Sequence, residues 1–114
     1  GAQGHQRVLL GGSSQGCCAA FDAFARFPKR LGGFVGLVGH PLSLTPVQDS
    51  QQRGVPCFFF NGAEDTYARW VWVLPQIQRL SQAGWTSLRA RAKQGVTHYA
   101  GVEQEEAWLR AFLE

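Results

Sequence analysis

Gly12-Ser13-Ser14-Gln15-Gly16 lies between a short apolar run, Val8-Leu9-Leu10, and a stretch of helical periodicity from Cys17 to Phe27. The order strand, Gly-x-Ser-x-Gly turn, helix decides how the rest of the chain is read. Such a turn forces its central residue into a strained backbone conformation and lifts that side chain above a sheet. Both glycines are expected there because a Cβ would collide with the adjoining strand and helix. Ser14 is therefore a candidate nucleophile.

Outward from the turn, strands and helices alternate. Arg7 to Leu10 reads as a strand ending in glycines. Gln15 to Phe27 reads as a helix, with Cys17, Phe21 and Phe24 on one face, stopped by Pro28 and Gly32-Gly33. Phe34 to Val38 is a continuous apolar run, the pattern of a strand buried on both faces in a parallel sheet. Residues 40–54 carry Pro41 and Pro46 and read as a long polar surface loop. Val55 to Phe60 is a third strand, after which Asn61-Gly62 is expected to turn the chain away. Tyr67 to Ala83 has an apolar helical stripe, but Pro75 should kink it or split it, and Gly84 fits a C-cap. Thr86 to Ala92 alternates weakly, as an edge strand does, and Glu103 to Leu113 is a closing amphipathic helix. The result is a parallel α/β sheet.

Bulk properties bound the function. At 114 residues the chain is at most one domain, and 45% hydrophobic with 17% charged residues suits a globular core. A net charge of +3, with scattered basic residues and one small cluster at Arg89, Arg91 and Lys93, gives little support to nucleic-acid binding. The three cysteines, two of them adjacent at Cys17 and Cys18, argue against a disulfide framework and for reduced thiols in a cytoplasmic setting. No metal-ligand spacing is present, so no metal or other cofactor is expected. No apolar run approaches the length of a membrane span.

A serine hydroxyl needs a base within hydrogen-bond reach and an acid to orient that base. On an elbow of this kind the acid and then the histidine follow the serine in chain order. Asp65 sits just past the third strand, in Asn61-Gly62-Ala63-Glu64-Asp65, and His98 just past the fourth, in Gly95-Val96-Thr97-His98-Tyr99. Both fall, with Ser14, at the carboxyl ends of parallel strands, where open α/β sheets place their sites. Glu64 competes with Asp65 for the acid role. His5 and His40 read as surface residues, and the aromatics between Tyr67 and Leu74 as core packing rather than contacts to a substrate.

These residues resemble the C-terminal half of the phospholipase/carboxylesterase family of α/β-hydrolases, which includes acyl-protein thioesterases. The resemblance runs from Arg7 to Leu113. Ser14-Gln15-Gly16 is similar to the family's elbow ending, Gly33 to Gly39 to its next strand, and Val55-Pro56 to the opening of the following one. Asn61 to Asp65 resembles its acid loop and Thr97-His98-Tyr99 its histidine loop. The implied fold is a three-layer α/β-hydrolase, here partial: the C-terminal four parallel strands with flanking helices. The implied activity is hydrolysis of carboxylic esters or thioesters on an acylated small molecule, a lipid or an S-acylated protein. Ser14, Asp65 and His98 would be the triad, and the Gln15 N–H one oxyanion donor. Ser13, Cys17-Cys18 and the Trp70 and Trp72 region depart from the family's pattern and bear on substrate range. Four strands that precede the elbow strand in the family, and the loop that supplies a second oxyanion donor, have no counterpart here. The chain is thus expected to be one partial domain over residues 1–114, with a strand edge open to self-association. An inactive remnant of such an enzyme is the alternative. Peptidase-type relatives share the triad order, whereas dienelactone hydrolases usually place a cysteine at the nucleophile.

Overall fold

A computed structural model of the chain describes residues 4–98 together with Ala107 and Arg110. After a single 3-10 turn, His5–Arg7, the elements are β1 (Leu9–Ser13), α1 (Gln15–Arg26), β2 (Gly33–Leu37), β3 (Cys57–Gly62), α2 (Trp70–Gln82) and β4 (Leu88–Lys93). The four strands form one sheet in the order β1-β2-β3-β4. Every pairing is parallel. The parallel α/β architecture and the edge position of β4 are as expected. Of the helix expected over 103–113, Ala107 and Arg110 are helical and the remaining residues lie outside the described ones.

The strand boundaries differ in an informative way. The first strand does not start at Arg7, which belongs to the 3-10 turn, and it does not stop at Leu10. It runs through Gly11, Gly12 and Ser13, paired with Val35, Gly36 and Leu37. The glycines that look like a strand terminator are strand residues where another backbone comes close: a Cβ on Gly11 would lie 2.8 Å from the carbonyl oxygen of Val35. The third strand likewise continues past Phe60, because Asn61 and Gly62 pair with Ala92 and Lys93 instead of turning. Pairing with a neighbouring strand overrides the local turn preference.

Helix α2 starts at Trp70, not Tyr67, and contains Pro75 without being split. Proline removes the bond that the Val71 carbonyl would accept. Val71 is 65% exposed, so water can serve that carbonyl. The helix ends in a Schellman motif: Trp85 N–H donates to Leu80 O at 3.1 Å, Gly84 N–H donates to Ser81 O at 3.1 Å, and Gly84 takes φ +89°.

Both helices cover the same face of the sheet. Phe21 and Phe24 of α1, Phe34 and Phe59 of the central strands, and Ile77 and Leu80 of α2 share one buried cluster. On the opposite face Val38, Phe58, Phe60 and Val96 form a second, smaller one. The β2–β3 connection is not a loose surface loop. Gln52, fully buried, accepts from Leu31 N–H at 2.9 Å and donates to Lys29 O at 2.6 Å. Buried Trp85 donates its indole N–H to Val47 O at 2.9 Å. Buried side chains at Thr45, Val47 and Gln52 hold the segment against α1 and α2, while its first residues, Gly39 and His40, follow directly on the carboxyl end of β2.

Candidate active site

Ser14 joins β1 to α1 with φ 56° and ψ −123°, a conformation that side-chain-bearing residues avoid and that tertiary structure must impose. Its N–H donates to Leu37 O at 2.9 Å, extending the β1–β2 ladder by one bond into the turn. Its own carbonyl accepts from Cys17 N–H at 3.0 Å, so the same residue ends a strand and caps a helix. The steric argument for the glycines holds at Gly12, whose Cβ would run into the Gly16 carbonyl group. It fails at Gly16, where a Cβ would meet nothing within 4 Å. The second close approach is instead at Gly39, where a Cβ would lie 2.6 Å from the Cys17 Cβ and 2.9 Å from Ser14 O.

The acid loop is built from the end of β3. Asp65 is 4% exposed and its Oδ1 accepts from Tyr67 N–H and Ala68 N–H, both at 2.8 Å. These bonds fix the carboxylate and form the chain's approach to α2. The other oxygen, Oδ2, lies 2.7 Å from His98 Nδ1. A carboxylate accepts only, so in this pairing Nδ1 carries the hydrogen. The opposite ring nitrogen, Nε2, lies 2.7 Å from Ser14 Oγ. With Nδ1–H donated to Asp65, neutral His98 presents Nε2 as an acceptor for the Ser14 hydroxyl. Three side chains from three strand ends, Ser14, His98 and Asp65, thus form one continuous relay.

Glu64 takes no part in it. Its carboxylate accepts from Gly95 N–H at 2.6 Å, tying the acid loop to the β4 exit. Of the two acids left open by the sequence, Asp65 is the one bonded to His98. The N–H of Gln15, first residue of α1, has no acceptor within the helix, as every helix N-terminus leaves its first N–H groups free. Gln15 lies with Ser14 on the wall of a cavity of about 540 Å³ that also involves Val38, His40, Tyr67 and His98. Among the described residues no cluster of three or more His, Cys, Asp or Glu could hold a metal ion.

The chain has part of an α/β-hydrolase fold. It is similar to SOBER1 of Arabidopsis thaliana, with a TM-score of 0.77 and 22% identity, over 96% of this chain and 55% of that one. It is similar to acyl-protein thioesterase 2 of Zea mays, with a TM-score of 0.72 and 20% identity, over 91% of this chain and 55% of that one. TT1662 from Thermus thermophilus matches with a TM-score of 0.66 and 19% identity, over 93% and 54% of the two chains. The resemblance read from the motifs is therefore matched in three dimensions, and the chain spans about 55% of the length of the first of these structures. No family model and no curated protein matches the sequence.

Two cavity residues were read otherwise from the sequence, His40 as a surface residue and Tyr67 as core packing. His40 is half-buried on the cavity wall, with its Nδ1 2.8 Å from Pro41 O. The carbonyl can only accept, so Nδ1 carries the hydrogen and Nε2 remains available as an acceptor. Tyr67 places its ring 5.3 Å from the His98 ring. A signal existed for His40: it follows a strand in the same sheet as the elbow, at the carboxyl end where sites lie. Of the aromatics between Tyr67 and Leu74, expected as core packing, Trp70 does pack on the core while Tyr67 and Trp72 stay exposed.

Proposed function

We propose that the chain carries the catalytic residues of a serine hydrolase that cleaves carboxylic esters or thioesters through an acyl-enzyme. The observation that supports this reading is the relay Ser14 Oγ–His98 Nε2–His98 Nδ1–Asp65 Oδ2, with 2.7 Å at each of its two hydrogen bonds. These distances fall in the range at which a base removes a proton from a nucleophile. Ser14 attacks the acyl carbon as its hydroxyl proton passes to His98 Nε2. The imidazolium then protonates the departing alcohol or thiol. Water, deprotonated by the same nitrogen, releases the acid and restores Ser14. Asp65 holds the ring in the Nδ1–H tautomer and stabilises its charged form. The Gln15 N–H donates to the oxyanion. No metal or other cofactor is called on.

The acyl class rests on likeness to the thioesterase fold and on the apolar Val38 and Tyr67 in the cavity wall. Substrates would be acylated small molecules, lipids or S-acylated proteins. A reducing, cytoplasmic setting fits the free thiols of Cys17, Cys18 and Cys57. Among the described residues no helix is long and apolar enough to cross a membrane.

A fluorophosphonate probe tests the assignment. The chain should be labelled, and Ser14→Ala and His98→Ala should each abolish labelling. Labelling that persists in Ser14→Ala removes Ser14 as the nucleophile. A second reading, a non-catalytic remnant, is favoured by one observation. Among the described residues β1 pairs only with β2, and Leu9 is 45% exposed. A folded chain that neither reacts with the probe nor turns over p-nitrophenyl esters would establish that reading.

A further inference from the structure

We infer that His40 is a specificity-determining residue of the Ser14 site, selecting esters or thioesters that carry an uncharged hydroxyl beside the scissile carbonyl. It has this role only if Ser14, His98 and Asp65 act as the hydrolytic triad proposed above.

The backbone on both sides of His40 holds it at the cavity. Val38, the first residue after β2, has φ 48°. A β-branched residue enters this left-handed region only where its surroundings impose it, and such strain collects at functional sites. Here the Val38 N–H donates to Phe60 O at 2.7 Å, and its side chain is buried with Phe58, Phe60 and Val96. Gly39 then passes against Cys17 and the Ser14 carbonyl, where a Cβ has no room. His40 follows directly. Pro41, next along the chain, is fully buried, and its ring fixes its φ. Beyond it the Arg79 guanidinium donates to Leu42 O at 2.6 Å and to Ser43 O at 3.0 Å. The imidazole therefore stands on a rigid stretch, one residue from the close approach of Gly39 to the nucleophile's own carbonyl.

The ring has one nitrogen committed and one to spare. Nδ1–H donates to Pro41 O at 2.8 Å. Nε2 accepts in the neutral ring and has no hydrogen-bond partner among the described residues. His98 is held in the same manner, its Nδ1–H on an oxygen, but its Nε2 is taken up by Ser14. The cavity thus has a second oriented acceptor that the relay does not use. The described residues on its wall include no Asp, Glu, Lys or Arg. An ammonium on the substrate would find no counter-charge there, whereas a hydroxyl matches a neutral acceptor. A substrate without the hydroxyl leaves Nε2 unpaired when it fills the cavity, and this difference discriminates between the two.

The test compares kcat/KM for ethyl butyrate, hydroxyethyl butyrate and ethyl β-hydroxybutyrate, by titration of the released acid. Hydroxyethyl butyrate carries the hydroxyl on the leaving group, and ethyl β-hydroxybutyrate carries it on the acyl group. The parent chain should prefer at least one of them to ethyl butyrate by about tenfold, and the preferred ester identifies the side of the carbonyl that His40 serves. His40→Leu should remove that preference, lowering kcat/KM for the preferred ester about tenfold more than for ethyl butyrate. His40→Gln, whose amide oxygen still accepts, should restore part of it. Fluorophosphonate labelling of the same preparations separates the two readings. A parent chain that is not labelled overturns the triad and the role of His40 together. A labelled parent that shows no preference, or that turns over none of the three esters, overturns the role of His40 alone. So does a His40→Leu variant that keeps the preference, or that lowers all three esters equally, because His40 would then only shape the loop.

Discussion

At the scale of single residues, Asp65 has two tasks that one oxygen each performs. Oδ1 organises the backbone of Tyr67 and Ala68, and Oδ2 orients His98. Asp65→Asn can keep the first set of contacts only in part, and it offers His98 an amide in place of a carboxylate. On the proposed mechanism it should lower kcat by about 10⁴-fold with KM little changed. Steady-state hydrolysis of a short ester checks this, and a loss smaller than tenfold would mean that another group orients His98. Gly12 is the second residue whose chemistry admits no substitute. The group a Cβ would strike is the Gly16 carbonyl, backbone of the first turn of α1, which cannot step aside as a flexible side chain would. Gly12→Ala should destabilise the fold by about 1–3 kcal/mol and abolish probe labelling, whereas Gly16→Ala, with open space around its Cβ, should retain labelling. Urea unfolding and probe labelling on the two variants make the comparison.

At the scale of elements, the β2–β3 connection is held by specific polar contacts. The Thr45 hydroxyl donates to Asp22 Oδ1 at 2.6 Å, and Thr45 is 1% exposed. That hydroxyl, followed by Arg26, holds the Asp22 carboxyl below its ordinary range. A carboxyl whose pKa is lower in the folded than in the unfolded state stabilises the fold above its unfolded pKa of about 3.9, and this contribution disappears as pH falls through the lower folded value. Thr45→Ala should therefore cost about 1 kcal/mol at neutral pH, and the difference from the parent should shrink in acid. Denaturant midpoints at the two pH values check it, and a pH-independent difference would assign the loss to packing alone. The elements themselves were readable from periodicity: α1, the central strands and the edge strand β4 stand near their expected places. Their ends were not. Gly11-Gly12 and Asn61-Gly62 have the composition of turns, yet both pairs lie inside strands because a neighbouring backbone supplies their hydrogen bonds. Pro75 similarly promised a break that the packing of Val73, Ile77 and Leu80 against the sheet does not permit.

At the scale of the whole molecule, the sheet is finished differently at its two margins. β4 ends it with Arg89, Arg91 and Lys93 alternating along an exposed strand, the charged pattern that discourages further pairing. β1 ends it with exposed Val8 and Leu9 and, among the described residues, with β2 as its sole neighbour. The purified chain should therefore self-associate with rising concentration, and Leu9→Lys should shift it toward monomer in sizing or sedimentation. A monomer at all concentrations would overturn this. The two buried thiols, Cys17 and Cys57, are pushed well above the ordinary cysteine range by desolvation, and belong to the core under this sheet rather than to the chemistry. The order of residues along the chain, by itself, pointed to the parallel α/β arrangement and to Ser14, His98 and an acid at Asp65 or Glu64 as the candidate site. A strand–elbow–helix pattern and strand ends are local properties, written in periodicity and glycine placement. Only the tertiary structure bonded Asp65 and not Glu64 to His98, placed His40 and Tyr67 on the cavity wall, and left Val71 and Trp72 exposed. Those outcomes depend on which way a side chain faces once distant strands have paired, and the spacing of residues along one segment carries no information about that.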